Sequence, residues 1–332
     1  MSSSSVLRCL ALTSSLVACA ADKPDGAPAF VDFTGGADSP GASGAPSAAG
    51  APTLGSPLAG LPTDDGIRVE PSVGCTKVDF VFVVDNSLSM LEEQTALVNS
   101  FPGFMRVLEQ TLGASDFHVM VVDTDASDVR DTIGALLGQP GADSCSPVLG
   151  AGRRQSQAGQ DCGLTSGQRY IDASQADLTA TFSCAAQVGT LGNPREAPVD
   201  AMLAALAPSI NAPSGCNAGF LRDDAILVVT LIGDEDDAVS SGDPPAWRQS
   251  LIQVKGGSDE SIVFLGLVGG EPGSSVSSSC SDADPAPRLR SLIQGFQFGS
   301  TGDICAADYA PFFAQAVSVI DTACADFEPV IR

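Results

Sequence analysis

The sequence predicts an α/β fold in which a mainly parallel, Rossmann-like sheet forms the middle of three layers, with helices on both of its faces. The first observation is a set of three nearly continuous apolar runs, Val78–Val84, Ala225–Ile232 and Ser261–Val268. Such runs are typical of strands that are buried on both faces. The second observation is that helical patterns separate and follow these runs, and this alternation indicates parallel strands joined by helices.

The first half of the folded region is predicted to contain a strand, a helix and a second strand. After the strand Val78–Val84 and a short polar stretch, Met90–Leu112 repeats apolar residues close to the 3.6-residue period of a helix. Pro102 is expected to kink this helix or to split it in two. Phe117–Val122 is the next predicted strand.

The second half begins with an irregular stretch at about residues 134–190, which contains three cysteines. Because it shows no regular period, we expect an elaborated insertion that is stapled by disulfides. Apolar patterns beyond it predict the remaining helices. These are Val199–Leu206, Trp247–Val254, Leu289–Ile293 and Tyr309–Ile320.

Residues 1–18 have the features of a signal peptide. Arg8 supplies a weak basic start, and Leu10–Ala18 is a mainly apolar run, shorter than the ~20 residues that a membrane-spanning helix needs. Leu16–Cys19 resembles a bacterial lipobox, which implies cleavage before Cys19 and lipidation of that residue. Ordinary cleavage, which would leave Cys19 as a spare thiol, is the alternative.

Residues 19–66 are predicted to be a disordered, lipid-anchored linker. The segment is dominated by Ala, Gly, Pro and Ser and has no apolar period. It therefore cannot bury enough apolar surface to offset the entropy that ordering would cost. We place the folded domain at residues 67–332 and expect the linker to hold this domain off a membrane.

The charge balance restricts the classes of partner. The chain of 332 residues has 16 basic and 40 acidic side chains, which give a net charge of −24. Nucleic acid is not expected as a partner, because a phosphate backbone is bound through Lys and Arg. Charge-driven docking on anionic lipid is not expected either, so contact with a membrane is through the lipid anchor only. The acidity favours affinity for cations, or it serves only to keep the protein soluble.

The chain contains ten cysteines, of which Cys9 and Cys19 belong to the predicted export segment. The other eight are an even number, which in an exported protein predicts four disulfides. Cys75 lies just before the first predicted strand and Cys324 just after the last predicted helix, so these two are expected to pair if the chain ends meet. The other pairings stay open.

Two acidic loops follow buried strands. Asp85, Ser87 and Ser89 form a D-x-S-x-S pattern directly after the first strand, and Asp234 follows the strand that ends at Ile232. In an open parallel sheet, ligands bind beyond the carboxyl ends of the strands. Carboxylate and hydroxyl oxygens suit a hard divalent cation, Mg²⁺ or Ca²⁺.

These motifs resemble the metal-ion-dependent adhesion site of the von Willebrand factor type A (VWA) family. That family places D-x-S-x-S between its first strand and a long helix, and it places a second Asp after its fourth strand, as in Gly233-Asp234 here. The similarity extends over roughly Val78 to Ala325. It implies a VWA-like domain that binds one divalent cation and, through this cation, a protein partner that offers a carboxylate.

The VWA family also contributes a Thr from a middle loop, usually in a Gly-Thr step before a short helix. Thr190 is the matching residue, although its spacing from the next predicted helix is longer than usual, and Glu196 is the alternative. The resemblance implies that the two serines and the middle-loop residue coordinate the ion directly, and that the aspartates do so directly or through water. The implied metal ligands are Asp85, Ser87, Ser89, Thr190 and Asp234.

Several other polar residues are expected to have ordinary roles. Glu235–Asp237 is interpreted as a solvated acidic loop. Asp123, Asp125 and Asp128 are also interpreted as a solvated loop in preference to a second cation site. His118 lies in an apolar strand, so we expect a packed core residue and not a metal ligand.

The expected function is that of a non-enzymatic adhesion or interaction module in the cell envelope, lipid-anchored at the outer membrane or cell surface. One alternative is a structural envelope protein whose metal site has decayed, with Ser87 or Ser89 serving only to cap the first helix. A metal-assisted hydrolase using Asp85 and Asp234 is the other alternative. It is less favoured, because it would need a substrate-sized pocket and more metal ligands than the sequence offers. A serine hydrolase is not expected either, because a serine nucleophile normally needs a positioned base and His118 lies away from both acidic loops.

Overall fold

A computed structural model of the chain describes residues 75–112, 116–125, 136–138, 142–165, 167–192, 196–271 and 283–327. The chain divides into two compact units, Met1–Asp65 and Gly66–Arg332. All described residues lie in the second unit. The predicted signal peptide, Cys19 and the predicted linker lie outside the described residues. Within the described part, no helix is both long and apolar enough to cross a membrane.

The domain is built on a six-stranded sheet with the strand order β3-β2-β1-β4-β5-β6. All neighbouring strands are parallel except β3, which runs antiparallel to β2. The predicted α/β fold with a mainly parallel sheet is therefore confirmed. The strands are β1 (Lys77–Val84), β2 (Asp116–Asp123), β3 (Ile171–Asp172), β4 (Ile226–Gly233), β5 (Ile262–Val268) and β6 (Phe298–Asp303).

Seven α-helices with defined bounds accompany the sheet in the described part of the chain. They are α1 (Leu91–Leu112), α2 (Leu178–Ala186), α3 (Pro198–Leu206), α4 (Pro208–Asn211), α5 (Pro244–Val254), α6 (Pro287–Gln294) and α7 (Ala310–Asp326). A short 3-10 turn, Leu88–Met90, leads into α1. Pro102 lies inside α1 without dividing it, so the predicted split is wrong. The helix continues because Phe101 and Phe104, on either side of Pro102, are both buried in the core.

Alternate residues of each central strand face opposite layers, as a pleated strand requires. Phe80 and Phe82 of β1 join one apolar cluster with residues of α1, α2 and α7. Val81 and Val83 join a second cluster with residues of α3, α5 and α6. The sheet is thus buried on both faces, which explains why its central strands are continuous apolar runs.

Helices α2 and α4 and strand β6 were not expected from the sequence. Helix α2 and strand β3 lie inside the stretch interpreted as an irregular insertion. Asp177 caps α2, because its side chain accepts a hydrogen bond from the Ala180 N–H at 2.9 Å. Strand β6, Phe298–Asp303, has the sequence FGSTGD and therefore lacks an apolar run. It is an edge strand that is only partly buried, so its sequence has no need of one.

Disulfides close the domain and hold the insertion. Cys75 pairs with Cys324, as predicted, and links the start of β1 to the end of α7. Cys162 pairs with Cys184 inside the insertion, and Cys145 pairs with Cys216 beyond α4. Cys305 is disulfide-bonded as well. These bonds fit an exported protein, because disulfides persist in oxidising compartments.

Candidate metal centre

The ends of β1 and β4 bring Asp85 and Asp234 to the same edge of the sheet. The two strands pair in parallel up to Val84 and Ile232, and the Asp85 N–H donates to the Ile232 carbonyl oxygen at 2.9 Å. Asp85 is 3% exposed and Asp234 is 2% exposed. A Cβ atom on Gly233 would lie 3.2 Å from Asp85 Oδ2, so glycine leaves the room that this carboxylate occupies.

The D-x-S-x-S segment forms a turn that gathers its oxygen atoms. Asp85 Oδ1 accepts a hydrogen bond from the Ser87 N–H at 2.7 Å. The hydroxyl oxygens of Ser87 and Ser89 lie 3.3 Å apart. Ser87 stands before the 3-10 turn in an extended conformation, and within the described structure its side chain makes no capping hydrogen bond to that turn. Its hydroxyl is therefore not used in the way that a helix cap would use it.

Thr190 lies beside the two serines. Ser87, Ser89 and Thr190 line one cleft of about 570 Å³. The other described lining residues are Leu88, Leu191, Gly192 and Glu235. Glu196, the alternative middle-loop residue, is not among the described residues that line this cleft, and neither are Asp85 and Asp234. The Glu196 carboxyl is buried and accepts a hydrogen bond from the Thr124 hydroxyl.

Gln94 connects the Gly189-Thr190 loop to the D-x-S-x-S turn. Its Nε2 donates to the carbonyl oxygens of Asp85 at 3.0 Å and Gly189 at 2.7 Å. Its Oε1 accepts from the Gly189 N–H at 3.1 Å. The role of Gln94 was not predicted from the sequence. The sequence does mark it, because Gln94 is the polar member of a buried helical stripe that includes Met90 and Leu97.

Asn86 makes a second connection between these loops. Its backbone carbonyl oxygen accepts a hydrogen bond from the Gly192 N–H at 3.0 Å. A Cβ atom on Gly192 would overlap the Asn86 side chain. Asn86 Nδ2 donates to Asp125 Oδ2 at 3.0 Å. The loops after β1 and β2 and the loop after α2 are therefore joined by buried hydrogen bonds around the candidate site.

The site concentrates negative charge in a buried place. The pKa of Asp85 is raised to about 7, first by burial and also by the like charge of Asp234, against the lowering effect of the Ser87 N–H. The pKa of Glu196 is raised to about 9 by burial and by the charges of Asp85 and Asp125. A divalent cation would favour the ionised form of such carboxylates.

Among the residues that the structure describes, no group of three or more His, Cys, Asp and Glu side chains is arranged to hold a metal ion. The candidate ligand set differs in kind, because it combines two carboxylates with three hydroxyls. Hydroxyl and carboxylate oxygens together are a donor set that hard divalent cations accept.

The loop after β4 is not simply solvated, and the expectation for Asp236 and Asp237 was wrong. Asp237 is fully buried, and its Oδ2 accepts from the Val199 N–H at 3.0 Å at the start of α3. Asp236 accepts from the Arg288 N–H at 3.2 Å at the start of α6. Both acids satisfy N–H groups that helix starts leave unpaired. Glu235 is exposed, as expected.

The acidic residues after β2 also differ from the expected solvated loop. Asp123 forms a 2.6 Å ion pair with Arg153, which lies in the insertion. Asp125 is buried and bonded to Asn86. Asp128 lies outside the described residues. His118 does pack as a core residue, with its ring 4.3 Å from that of Tyr170.

Comparisons with known proteins add little to this geometry. The chain matches no protein-family profile and no curated protein sequence. Among solved structures it is similar to proximal thread matrix protein 1 from the mussel byssus, with 12% identity and a TM-score of 0.37. The match covers 75% of this chain and 48% of that protein, so the chain spans about half the length of that structure. A likeness this distant carries no argument about function.

Proposed function

We propose that the protein is an exported, lipid-anchored VWA-like module that binds Mg²⁺ or Ca²⁺ and, through this ion, a protein partner. The observation that carries the proposal is the arrangement at the ends of β1 and β4. Ser87, Ser89 and Thr190 line one cleft, and the buried Asp85 and Asp234 directly follow the adjacent strands β1 and β4.

The residues present fit such an ion. Burial and the like charge of Asp234 raise the pKa of Asp85, and a bound cation would offset that cost of ionisation. The bound ion would supply a Lewis-acidic position that accepts a carboxylate oxygen from the partner. The chain's own residues hold the ligands in place: Asp85 fixes the Ser87 N–H, and Gln94 holds the loop that carries Thr190.

The alternatives receive less support. A decayed metal site would be favoured if Thr190 and Glu196 both lay far from Ser87, and here Thr190 lines the same cleft as Ser87. A serine hydrolase would need a base next to Ser87 or Ser89. His118 instead places its Nδ1 2.8 Å from the Phe220 carbonyl oxygen, and its ring packs on Tyr170. We therefore favour a non-enzymatic role.

Export is supported by the disulfides, and lipidation rests on the Leu16–Cys19 sequence. Attachment through Cys19 would keep the domain in the cell envelope, at the outer membrane or the cell surface. Mass spectrometry of the mature N-terminus tests this part of the proposal. A lipid-modified Cys19 as the first residue is the expected result, and an unmodified Cys19 or cleavage elsewhere would remove the anchor from the proposal.

Calorimetric titration of Mg²⁺, Ca²⁺ and Mn²⁺ tests the metal site directly. The mature chain is compared with Asp85→Ala and with Asp243→Ala, which removes a helix cap at α5 instead of a metal ligand. We expect saturable binding that is lost in Asp85→Ala and kept in Asp243→Ala. Thermal unfolding of both variants verifies that they are folded. Binding that survives Asp85→Ala, or no binding to the wild-type chain, would refute the proposed metal site.

A further inference from the structure

Two leucines line the candidate metal cleft and leave most of their side chains in water. Leu88 is 77% exposed and Leu191 is 59% exposed, and they belong to different loops. Leu91, one helical turn beyond Leu88, is exposed as well. A single exposed leucine needs no explanation. Here two exposed leucines from separate loops line the same cleft as Ser87, Ser89 and Thr190. We call Leu88 and Leu191 the apolar border of the cleft.

The folding of the domain does not account for these side chains. Leu88 is in the 3-10 turn whose buried residue is Met90, and it occupies a variable position of D-x-S-x-S. Leu191 follows Thr190 in a loop that is held by backbone hydrogen bonds to Gln94 and Asn86. Because most of each side chain is exposed, the two leucines bury little surface in the core and are available for contact with a partner.

The cleft has a negative border in addition to the apolar one. Glu235 lines it and is exposed. The chain as a whole has a net charge of −24. A partner that is acidic throughout would be repelled, so a carboxylate that reaches the ion is best accompanied by a basic group.

We propose that the partner is a protein loop that presents one Asp or Glu between a large apolar residue and a Lys or Arg. This inference rests on the proposed metal-dependent function. The carboxylate reaches the ion, the apolar side chain packs against Leu88 and Leu191, and the basic side chain faces Glu235. The cleft of about 570 Å³ is large enough for a few side chains of a loop tip.

Specificity is the reason for the two borders. A metal ion binds any accessible carboxylate, so it cannot by itself distinguish one acidic surface from another. Apolar contacts on one side and a charge on the other add free energy only for a partner that matches both.

Selection of a displayed library of cyclic heptapeptides on the full mature chain tests the inference. Bound peptides are eluted with EDTA and sequenced, and the same selection is run on the Leu88→Ser/Leu191→Ser double variant. For the wild-type chain we expect enrichment of Asp or Glu next to Leu, Ile, Phe or Met, with Lys or Arg on the other side. For the double variant we expect enrichment of the acidic residue without the apolar preference.

The enriched peptides are then used as probes in Mg²⁺. We expect Leu88→Ser to weaken their binding about tenfold while the affinity for Mg²⁺ is unchanged. Leu136→Ser is the matched control, because Leu136 is 83% exposed and is not among the described residues that line the cleft.

The outcomes separate the two proposals. One outcome is that both selections enrich EDTA-eluted peptides with an acidic residue, and that the residues next to it are the same for the wild-type chain and the double variant. This outcome would overturn the inference and leave metal-dependent binding intact. The absence of any EDTA-dependent enrichment, together with normal Mg²⁺ binding, would also overturn it. Failure of the chain to bind Mg²⁺ would refute the proposed function itself.

Discussion

Gln94 and Gly189 form a reciprocal pair, in which the Gln94 amide both donates to and accepts from the backbone of Gly189, at 2.7 Å and 3.1 Å. The two residues are 95 positions apart in the sequence. The pair couples helix α1, which follows the D-x-S-x-S turn, to the loop that carries Thr190. A buried amide on a helix thereby sets the position of a candidate metal ligand on a loop.

Replacing Gln94 with Met keeps the length of the side chain and removes its hydrogen bonds. The buried N–H and carbonyl of Gly189 then lose their partner, which we expect to lower the free energy of unfolding by about 2 kcal/mol. Displacement of Thr190 should also weaken Mg²⁺ binding. Urea unfolding and calorimetric titration measure the two effects. Gln253→Met, at an exposed position of α5, is the control, and equal behaviour of the two variants would contradict the role of Gln94.

Gly233→Ala tests the space around Asp85. The added Cβ would lie 3.2 Å from Asp85 Oδ2, and this carboxylate is held on its other oxygen by the Ser87 N–H. We expect the metal affinity to fall by about fivefold or more, since the ligand must shift. Gly103→Ala is the control, because no atom lies within 4 Å of its added Cβ. This helical change should stabilise the protein by about 0.5–1 kcal/mol. An unchanged metal affinity in Gly233→Ala would count against the placement of Asp85 in the site.

Asp79, which lies in β1 away from the cleft, gives a prediction about pH. Burial raises the pKa of Asp79 to about 6, although Arg222 opposes this shift through an ion pair at 2.8 Å. The folded chain therefore holds a proton that the unfolded chain releases between about pH 4 and pH 6. The free energy of unfolding should consequently fall as pH rises through this window, and Asp79 is then ionised above it.

The Asp79→Asn variant isolates this contribution. Its unfolding free energy should fall less between pH 4 and pH 6.5 than that of the wild-type chain, when both are measured by urea titration in EDTA. The difference between the two curves is expected to be on the order of 1–3 kcal/mol. Parallel curves would show that Asp79 does not titrate in this range.

The disulfide between Cys162 and Cys184 gives a prediction about the insertion. The two cysteines are 22 residues apart in the sequence. The bond fastens Cys162 to helix α2 within the insertion, a few residues before Gly189. Replacing both cysteines with Ser should lower the free energy of unfolding by about 3 kcal/mol. Since α2 leads into the Thr190 loop, the Mg²⁺ affinity should fall as well. The Cys145→Ser/Cys216→Ser variant is the comparison, and an equal loss of Mg²⁺ affinity in both would argue against a specific effect on this loop.

The sequence was sufficient to predict the central strands. Val78–Val84, Ala225–Ile232 and Ser261–Val268 are apolar because both of their faces are covered, and β1, β4 and β5 lie there with bounds shifted by one residue at most. Edge elements were harder to predict. Strand β6 is partly exposed, so its residues carry no apolar signature, and β3 has only two residues.

The site could be predicted only in part, because the pattern of residue types along the sequence does not show which distant residues a side chain contacts in the fold. Asp236 and Asp237 have the composition of a solvated loop, yet each meets a helix start that is distant in sequence. The position of Thr190 relative to Gln94 depends on a turn at Gly189 with φ of 97°, which spacing alone does not reveal. Asp85, Ser87, Ser89 and Asp234 could be singled out because each follows a strand that the sequence identifies.

The bond between Cys75 and Cys324 determines how the domain would carry a pulling force. It fastens both ends of the described fold at the start of β1, whereas Asp85 and the cleft lie at the other end of that strand, about 25 Å away. A partner pulling on the cleft against a membrane tether would load β1 along its length. Since β2 and β4 bond to β1 in parallel on both sides, the load would be shared as shear by all of these hydrogen bonds together. The covalent link would keep α7 from peeling away, so the domain would stay folded while its proposed partner is pulled.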